Sequence, residues 1–471
     1  MPETIGIKVE TVYGPVSGIT ENGIARFLGI PYAATPKGIK RFAAPEAPNS
    51  WAAVRPAHEF GATAPQLPLK GKLGEFLADP VIEGNEYLNL NVWTPGPDAT
   101  ALPVLVWIHG GGFTTGSSAR SIYDGATFAR DGVVCVSINY RLGVEGFAYI
   151  EDASAPANRG LLDQIAALEW VWDNIERFGG DPNNISVSGE SAGAMSVLTL
   201  LSLNLGLFRK AIVQSSSAHV AQTRQDAAMV TSEIIARLGI EPTAHALADV
   251  PVHELLLAQD AVCDDIATTA DAQRFGASTI AGCGLAFMPV IDDTLLHHAP
   301  IDAIADGAGH DIPLLIGTTT EELRFFVIPT PLAAWSDEKP FRDRLQAYGV
   351  PANLYDSYAE TDIPPYVRNR PSDIACAVLT DRAFRIPLAR VAEARAEAPA
   401  TTHLFEFGWR SDTAPNTLGI ELGACHSLPL PFAWDTLDKP DSRELTGQHP
   451  PQELANALHG RCRACGTATL I

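Results

Sequence analysis

Gly189-Glu190-Ser191-Ala192-Gly193 follows a run of β-formers, Asn184 to Ser188, and precedes a helical stretch. A serine at the tip of a sharp strand-to-helix turn takes a strained backbone conformation, and side chains two residues to either side would clash. Both flanking positions therefore call for glycine. Such a turn raises the Ser191 hydroxyl above a sheet and leaves the Ala192 N–H at a helix N-terminus, aimed at any developing anion. With 39 glycines in 471 residues, three fixed letters also arise by chance. The surrounding sequence decides between the two.

Upstream, Pro103 to Ile108 reads as a buried strand that runs into His109-Gly110-Gly111-Gly112-Phe113. Three glycines in a row leave backbone N–H groups uncovered by any Cβ. A phosphate loop would want a Lys-Ser/Thr pair after its last glycine, and Phe113-Thr114-Thr115 stand there instead. Triple glycine after one strand and a serine turn after a later one form the two-part layout of an oxyanion hole and a nucleophile. The N–H groups of Gly111, Gly112 and Ala192 are the candidate hole, and Ser191 is the candidate nucleophile.

No Pro/Gly/Ser-rich linker, charge block or short repeat divides the chain, and 46% hydrophobic with 19% charged residues describes a large core. Strands are expected at 87–93, 104–108, 132–139, 184–188, 210–214 and 311–317, with a last core strand at 403–407. Between Gly160 and Gly180, Leu161, Ile165, Leu168, Trp172 and Ile175 recur at spacings of four and three, which gives a helix with one apolar face. Strands alternating with helices imply an α/β fold around a largely parallel sheet covered on both faces. Thr11–Ile19 and Ile24–Tyr32 read as antiparallel edge strands. The chain is expected to form one domain over 1–471, with helical insertions at about 220–310 and 325–400 capping the site.

A net charge of −22 argues against nucleic acid as a partner and against an anionic membrane face. No apolar run approaches membrane-spanning length. Met1-Pro2-Glu3-Thr4 lacks a basic region followed by an apolar stretch, and the seven cysteines are odd in number and scattered, so a cytoplasmic location is expected. Cys462 and Cys465 have metal or redox spacing, but no second pair matches them; no metal and no cofactor is expected. Cys263 and Cys283 can pair across a loop. The sequence sets no oligomeric state.

Beyond these readings, the chain resembles the type-B carboxylesterases. The resemblance runs from about Phe27 to Asp435 and rests on ordered, separated motifs. They are Phe27 to Ala33, Arg41-Phe42, Leu88 to Val92, His109 to Phe113, Asn139 to Gly143, Gly160 to Gln164, Phe178 to Asn183, Gly189 to Gly193 and Leu207-Phe208. The resemblance implies an α/β-hydrolase fold and ester hydrolysis through an acyl-serine intermediate. It places the triad acid in Gly317-Thr-Thr-Thr-Glu-Glu322. Glu322 is favoured because the family's acid is the second of its acidic pair; Leu323 stands where the family has glycine, which leaves Glu321 as the alternative. It places the catalytic histidine at His426, before Ser427-Leu-Pro-Leu-Pro-Phe432.

The family's first disulfide is missing both partners, with Ala64 and Tyr87 in their places, and so is the stapled flap that family lipases use as a lid. The C-terminal stretch also departs from the family pattern after Gly460, a change expected to lower stability.

The mechanism implied is attack by Ser191 on a small-molecule ester, with His426 as general base near an ordinary histidine pKa of ~6–7 and Glu322 orienting it. Carbamate, amide and thioester hydrolysis use the same machinery. A non-catalytic binding protein on this scaffold is the rival from another class, and the presence of the serine weighs against it.

Overall fold

The computed structural model describes residues 5–69, 71–76, 79–282, 284–360 and 370–467. Its main sheet contains β1 (Ile5–Glu10), β2 (Pro15–Glu21), β3 (Ile24–Pro31), the short β4 (Arg55–Pro56), β5 (Asn89–Thr94), β6 (Leu102–Ile108), β7 (Val134–Ile138), β8 (Gly180–Glu190) and β9 (Lys210–Gln214). A separate two-residue parallel pair joins β10 (Gln222–Thr223) and β11 (Val290–Ile291). The main sheet is completed by β12 (Leu314–Thr319) and β13 (Thr402–Phe407), in the order β1-β2-β3-β5-β7-β6-β8-β9-β12-β13, with β4 beside β2. From β7 through β13 every neighbouring pair is parallel, and from β1 through β7 every pair on the path is antiparallel.

The parallel strands are apolar throughout because both faces are buried. Val104, Val106 and Ile108 of β6 enter one core with Leu161, Leu168 and Leu198 from the helices Arg159–Asn174 and Ala192–Ser202. Leu105 and Trp107 alternate into the other core, where Trp107 meets Trp434 edge-on at 5.3 Å and Trp434 meets Phe128 at 5.2 Å. Burying each such side chain stabilises the fold by roughly 1.5–3 kcal/mol. The helix stops where expected: it tightens to a 3-10 turn at Ile175–Phe178, and Gly179 ends it at φ 87°.

Strand boundaries differ from expectation by at most four residues, and three features differ in kind. β1 was not anticipated, since its alternation Ile-Gly-Ile-Lys-Val-Glu is short and broken by glycine. β13, expected in the core, lies at the sheet edge with only Phe407 buried and Leu404 59% exposed, because β12 alone pairs with it. The two insertions are largely helical, as expected. The first also holds the β10–β11 pair, and the second contains a π-helical turn at Asp381–Arg385; part of it, 361–369, lies outside the described residues.

Tyr87 donates to Glu145 Oε2 at 2.7 Å, and Glu145 Oε1 also accepts from Arg41 Nε at 2.7 Å. The helix Gln452–Thr467 docks through His459, whose ring contacts Phe128 at 4.4 Å and whose Nδ1 lies 2.9 Å from the Ala433 carbonyl. Cys283 and the side chain of Cys465 lie outside the described residues. No described helix is long and apolar enough to cross a membrane.

The loop after β7 is fixed to the helix Arg159–Asn174 by a fully buried ion pair. Arg141 Nη2 and Nε reach the Asp163 carboxylate at 2.7 and 2.8 Å, and its Nη1 donates to the Arg41 and Ala43 carbonyls. Removing one partner of such a pair leaves an uncompensated buried charge. Arg141→Met should therefore destabilise the protein by about 3–5 kcal/mol, read as a lower midpoint in chemical denaturation.

Candidate active site

Ser191 occupies the tip of β8 with φ 56° and ψ −128°, a conformation side chains rarely adopt. Its N–H donates to the Gln214 carbonyl at the end of β9 (3.0 Å), and its carbonyl accepts from Met195 N–H in the following helix (2.9 Å). The flanking glycines are steric necessities. A Cβ on Gly189 would lie 2.5 Å from the Gly193 carbonyl carbon, and one on Gly193 would lie 2.1 Å from the Ile108 carbonyl oxygen.

The triple-glycine loop leaves β6 beside this turn. Gly111 (φ 112°) and Gly112 (φ 60°) adopt left-handed backbone, and a Cβ on Gly111 would fall 2.1 Å from the Thr115 carbonyl oxygen. Thr114 and Thr115 N–H both close back on the Gly111 carbonyl, at 3.1 and 3.0 Å. His109 props the loop from below: it stacks on Tyr140 at 4.5 Å, and burial pushes its pKa down to about 4. It is neutral and serves as a packing group.

His426 is buried, with its Nδ1 2.6 Å from Glu322 Oε2. Glu322 is itself fully buried, and its other oxygen accepts from Thr319 N–H at 2.7 Å. Glu321 is turned to a different task. Its carboxylate pairs with Arg410, lies 3.8 Å from Arg324 Nε and accepts from Ala424 N–H at 3.0 Å; its own N–H donates to the Ala424 carbonyl at 2.9 Å. Arg324 in turn donates to the Leu422 and Glu421 carbonyls and to Asp373. Together these contacts zip 421–424, just ahead of His426, onto the loop that carries Glu322. Of the two acidic candidates, Glu322 is the one at the histidine.

Ser191, Gly111, Gly112, Ala192 and His426 all line one cavity of about 960 Å3. Its walls are mainly apolar. Val220 and Leu285 come from the first insertion, and Phe326, Trp335 and Phe384 from the second. Phe326 and Phe384 flank the His426 ring at 5.2 and 5.1 Å.

One partner was missed by the sequence reading. His426 Nε2 lies 3.0 Å from Glu190 Oε1, the carboxylate just before the serine, and Ser427 Oγ donates to the same oxygen at 2.9 Å. Ser191 Oγ makes no hydrogen bond among the described residues. Burial alone would lower the His426 pKa, but Glu190 and Glu322 outweigh it, and the ring is pushed up to about 10 rather than titrating near its ordinary value. The only sequence signal was adjacency: an acidic residue next to the candidate nucleophile shares its strand end.

Comparison with known proteins shows the family and the fold. Residues 6–442 match the model of the carboxylesterase family. The para-nitrobenzyl esterase of Bacillus subtilis is 36% identical over 436 residues, covering 91% of this chain and 83% of that protein. The phenmedipham hydrolase of Pseudarthrobacter oxydans is 33% identical over 464 residues, covering 95% and 87% respectively. Among solved structures, a Geobacillus stearothermophilus carboxylesterase superposes with a TM-score of 0.81 at 35% identity, covering 98% of this chain and 92% of that one.

The raised His426 pKa ties stability to pH. The folded ring keeps its proton above the ordinary 6.5, so its contribution is complete below pH 6.5 and is lost as pH rises toward about 10. Glu190→Gln removes one of the two carboxylates and should lower the His426 pKa, measured by NMR titration of the imidazole. It should also flatten the loss of denaturation midpoint across that window.

Proposed function

We propose that this chain, which belongs to the carboxylesterase family and is a carboxylic ester hydrolase, cleaves small to medium esters through an acyl-serine intermediate on Ser191. The reading assigns His426 as general base and acid, Glu322 as the acid that orients it, and the N–H groups of Gly111, Gly112 and Ala192 as the oxyanion hole. We also read the chain as one domain, with 220–310 and 325–400 as its cap. The observation that carries the proposal is the shared wall: the strained serine, the histidine and the uncovered loop amides face one apolar cavity, with Glu322 2.6 Å behind the ring.

Ser191 Oγ attacks the ester carbonyl while Nε2 of His426 takes its proton. The carbonyl electrons move to an oxyanion against the loop amides and the helix N-terminus; one such donor is typically worth roughly 2.7–4 kcal/mol of barrier. The tetrahedral centre then collapses, the C–O bond to the alcohol breaks, and His426 returns the proton to the leaving oxygen. Water repeats the sequence on the acyl-serine, releasing acid and serine. Glu322 keeps the proton on Nδ1 and stabilises the imidazolium without being protonated.

The cycle requires Nε2 to exchange Glu190 for Ser191 Oγ when an ester is seated. The apolar walls supply binding energy and exclude water from the developing charges.

Ser191→Ala should reduce hydrolysis of a short p-nitrophenyl ester by roughly 10^4-fold or more, abolish labelling by an organophosphate, and leave the melting temperature unchanged. Glu322→Gln should lower kcat by up to roughly 10^4-fold, whereas Glu321→Gln should mainly lower the melting temperature; the reverse order would move the acid by one residue. In Glu190→Gln the acid limb of kcat/KM should move to lower pH, because the neutral base persists further once the second carboxylate is gone; an unmoved limb would remove Glu190 from the proton's path.

A further inference from the structure

The cavity has a polar corner that the proposed mechanism does not use. Asp79, Arg120 and Tyr123 line it together with Glu190. Arg120 is 5% exposed and close enough to feel the Glu190 carboxylate. Its contacts are loose for a buried guanidinium. Nη1 reaches Tyr123 Oη at 3.4 Å, Nη2 reaches the Phe76 carbonyl at 3.5 Å, and the group lies 5.4 Å from the centre of the Tyr123 ring. Nε stands 3.3 Å from Asp79 Oδ1, yet the two are misaligned, and neither atom makes a hydrogen bond among the described residues.

A buried ion pair repays its desolvation only when the remaining donors and acceptors are satisfied. Here a donor and an acceptor, both buried and without a hydrogen-bond partner among the described residues, belong to two side chains that line the same cavity. Their spacing fits one kind of partner. An oxygen about 2.8–3.0 Å from each forms the apex of a triangle on the 3.3 Å base, accepting from Arg120 Nε–H and donating its own hydrogen to Asp79 Oδ1.

The chemistry excludes the alternatives. A carbon would leave both atoms orphaned. A carboxylate would add negative charge beside Asp79 and Glu190 with nothing to donate, and an ammonium has no lone pair for Arg120. A neutral hydroxyl satisfies both atoms.

We propose that Asp79 and Arg120 form a subsite for a hydroxyl group carried by the substrate, so that the enzyme favours esters of hydroxylated alcohols or acids over their deoxy counterparts. This deepens the ester-hydrolase reading and rests on it. A water molecule can occupy the same apex when no substrate is bound, and the substrate hydroxyl displaces it. The two polar side chains determine specificity and take no part in bond making.

The test compares matched esters in which a terminal hydroxyl is replaced by a methyl group. One series is diol monoacetates against alkyl acetates; the other is ω-hydroxyacyl against acyl p-nitrophenyl esters. Both are run at several chain lengths. At the length that seats the hydroxyl, kcat/KM should favour the hydroxylated member by about tenfold or more, mostly through KM. In Asp79→Leu and in Arg120→Met the ratio should fall toward one. Because the ratio is taken within each enzyme, loss of folded protein cancels.

A ratio at or below one at every length in the parent enzyme, with the deoxy esters turned over, overturns the subsite while the ester-hydrolase reading stands: the corner then holds water only. A preference that survives both substitutions also overturns it. No turnover of any ester overturns both readings.

Discussion

The structure turns on a contact between two stretches of backbone. At the end of β8 the chain reverses so tightly that Gly189 and Gly193 touch, and Gly193 also presses on the carbonyl of Ile108 in β6. A residue held at φ 56° stores of order 1–3 kcal/mol of strain, tolerated because buried neighbours on both sides fix the strand end. Parallel pairing does the rest. Ile108 is level with Gly189, and Glu190 with Gln214, so the loop after β6 and the turn after β8 emerge side by side at the carboxyl edge of the sheet. Uncovered amides and a raised hydroxyl are thus neighbours by register, before any side chain is chosen.

Around that edge, adjacent carboxylates are given different tasks by their partners. Glu321 and Glu322 are consecutive and both buried. One faces two arginines and a backbone N–H of the histidine loop; the other faces the histidine ring and the N–H of Thr319. The arginines offset charge that would otherwise crowd Glu322, and the bonds of Arg324 to the Leu422 and Glu421 carbonyls fix the approach of His426. Side-chain direction, alternating along a short irregular turn, separates a structural acid from a candidate catalytic one.

Much of this was legible in the chain. The glycine spacing around Ser191 and the run at Gly110 to Gly112 are backbone demands, and such demands are written directly in residue type. The parallel strands were legible because burial on both faces leaves unbroken apolar runs. What was missed depends on which atoms face each other across the fold. The Glu190 carboxylate meets a ring more than two hundred residues away, and no local pattern in the chain reports that distance. The pairing of Asp79 with Arg120 is equally invisible, since each stands alone among unrelated neighbours. The edge position of β13 was hidden too: Thr402 to Phe407 alternates like a half-buried strand whether or not a second neighbour covers it.

The carboxylate beside the serine bears on how the proposed cycle begins. With Glu322 on Nδ1 and Glu190 on Nε2, the ring is held as an imidazolium, which cannot accept the Ser191 proton. Before attack Nε2 must release its proton to bulk water through the open cavity and leave Glu190, and a seated ester then places its carbonyl at the serine. Stranding a buried carboxylate would oppose that move. Ser427 Oγ already donates to the same Glu190 oxygen at 2.9 Å, so the carboxylate keeps a hydrogen bond when the ring turns away. Once Ser191 has attacked and the imidazolium has formed, Glu190 lies beside the new positive charge. The same group thus opposes the base before attack and favours its charged form afterwards, which places the pH dependence of the reaction on the residue next to the nucleophile.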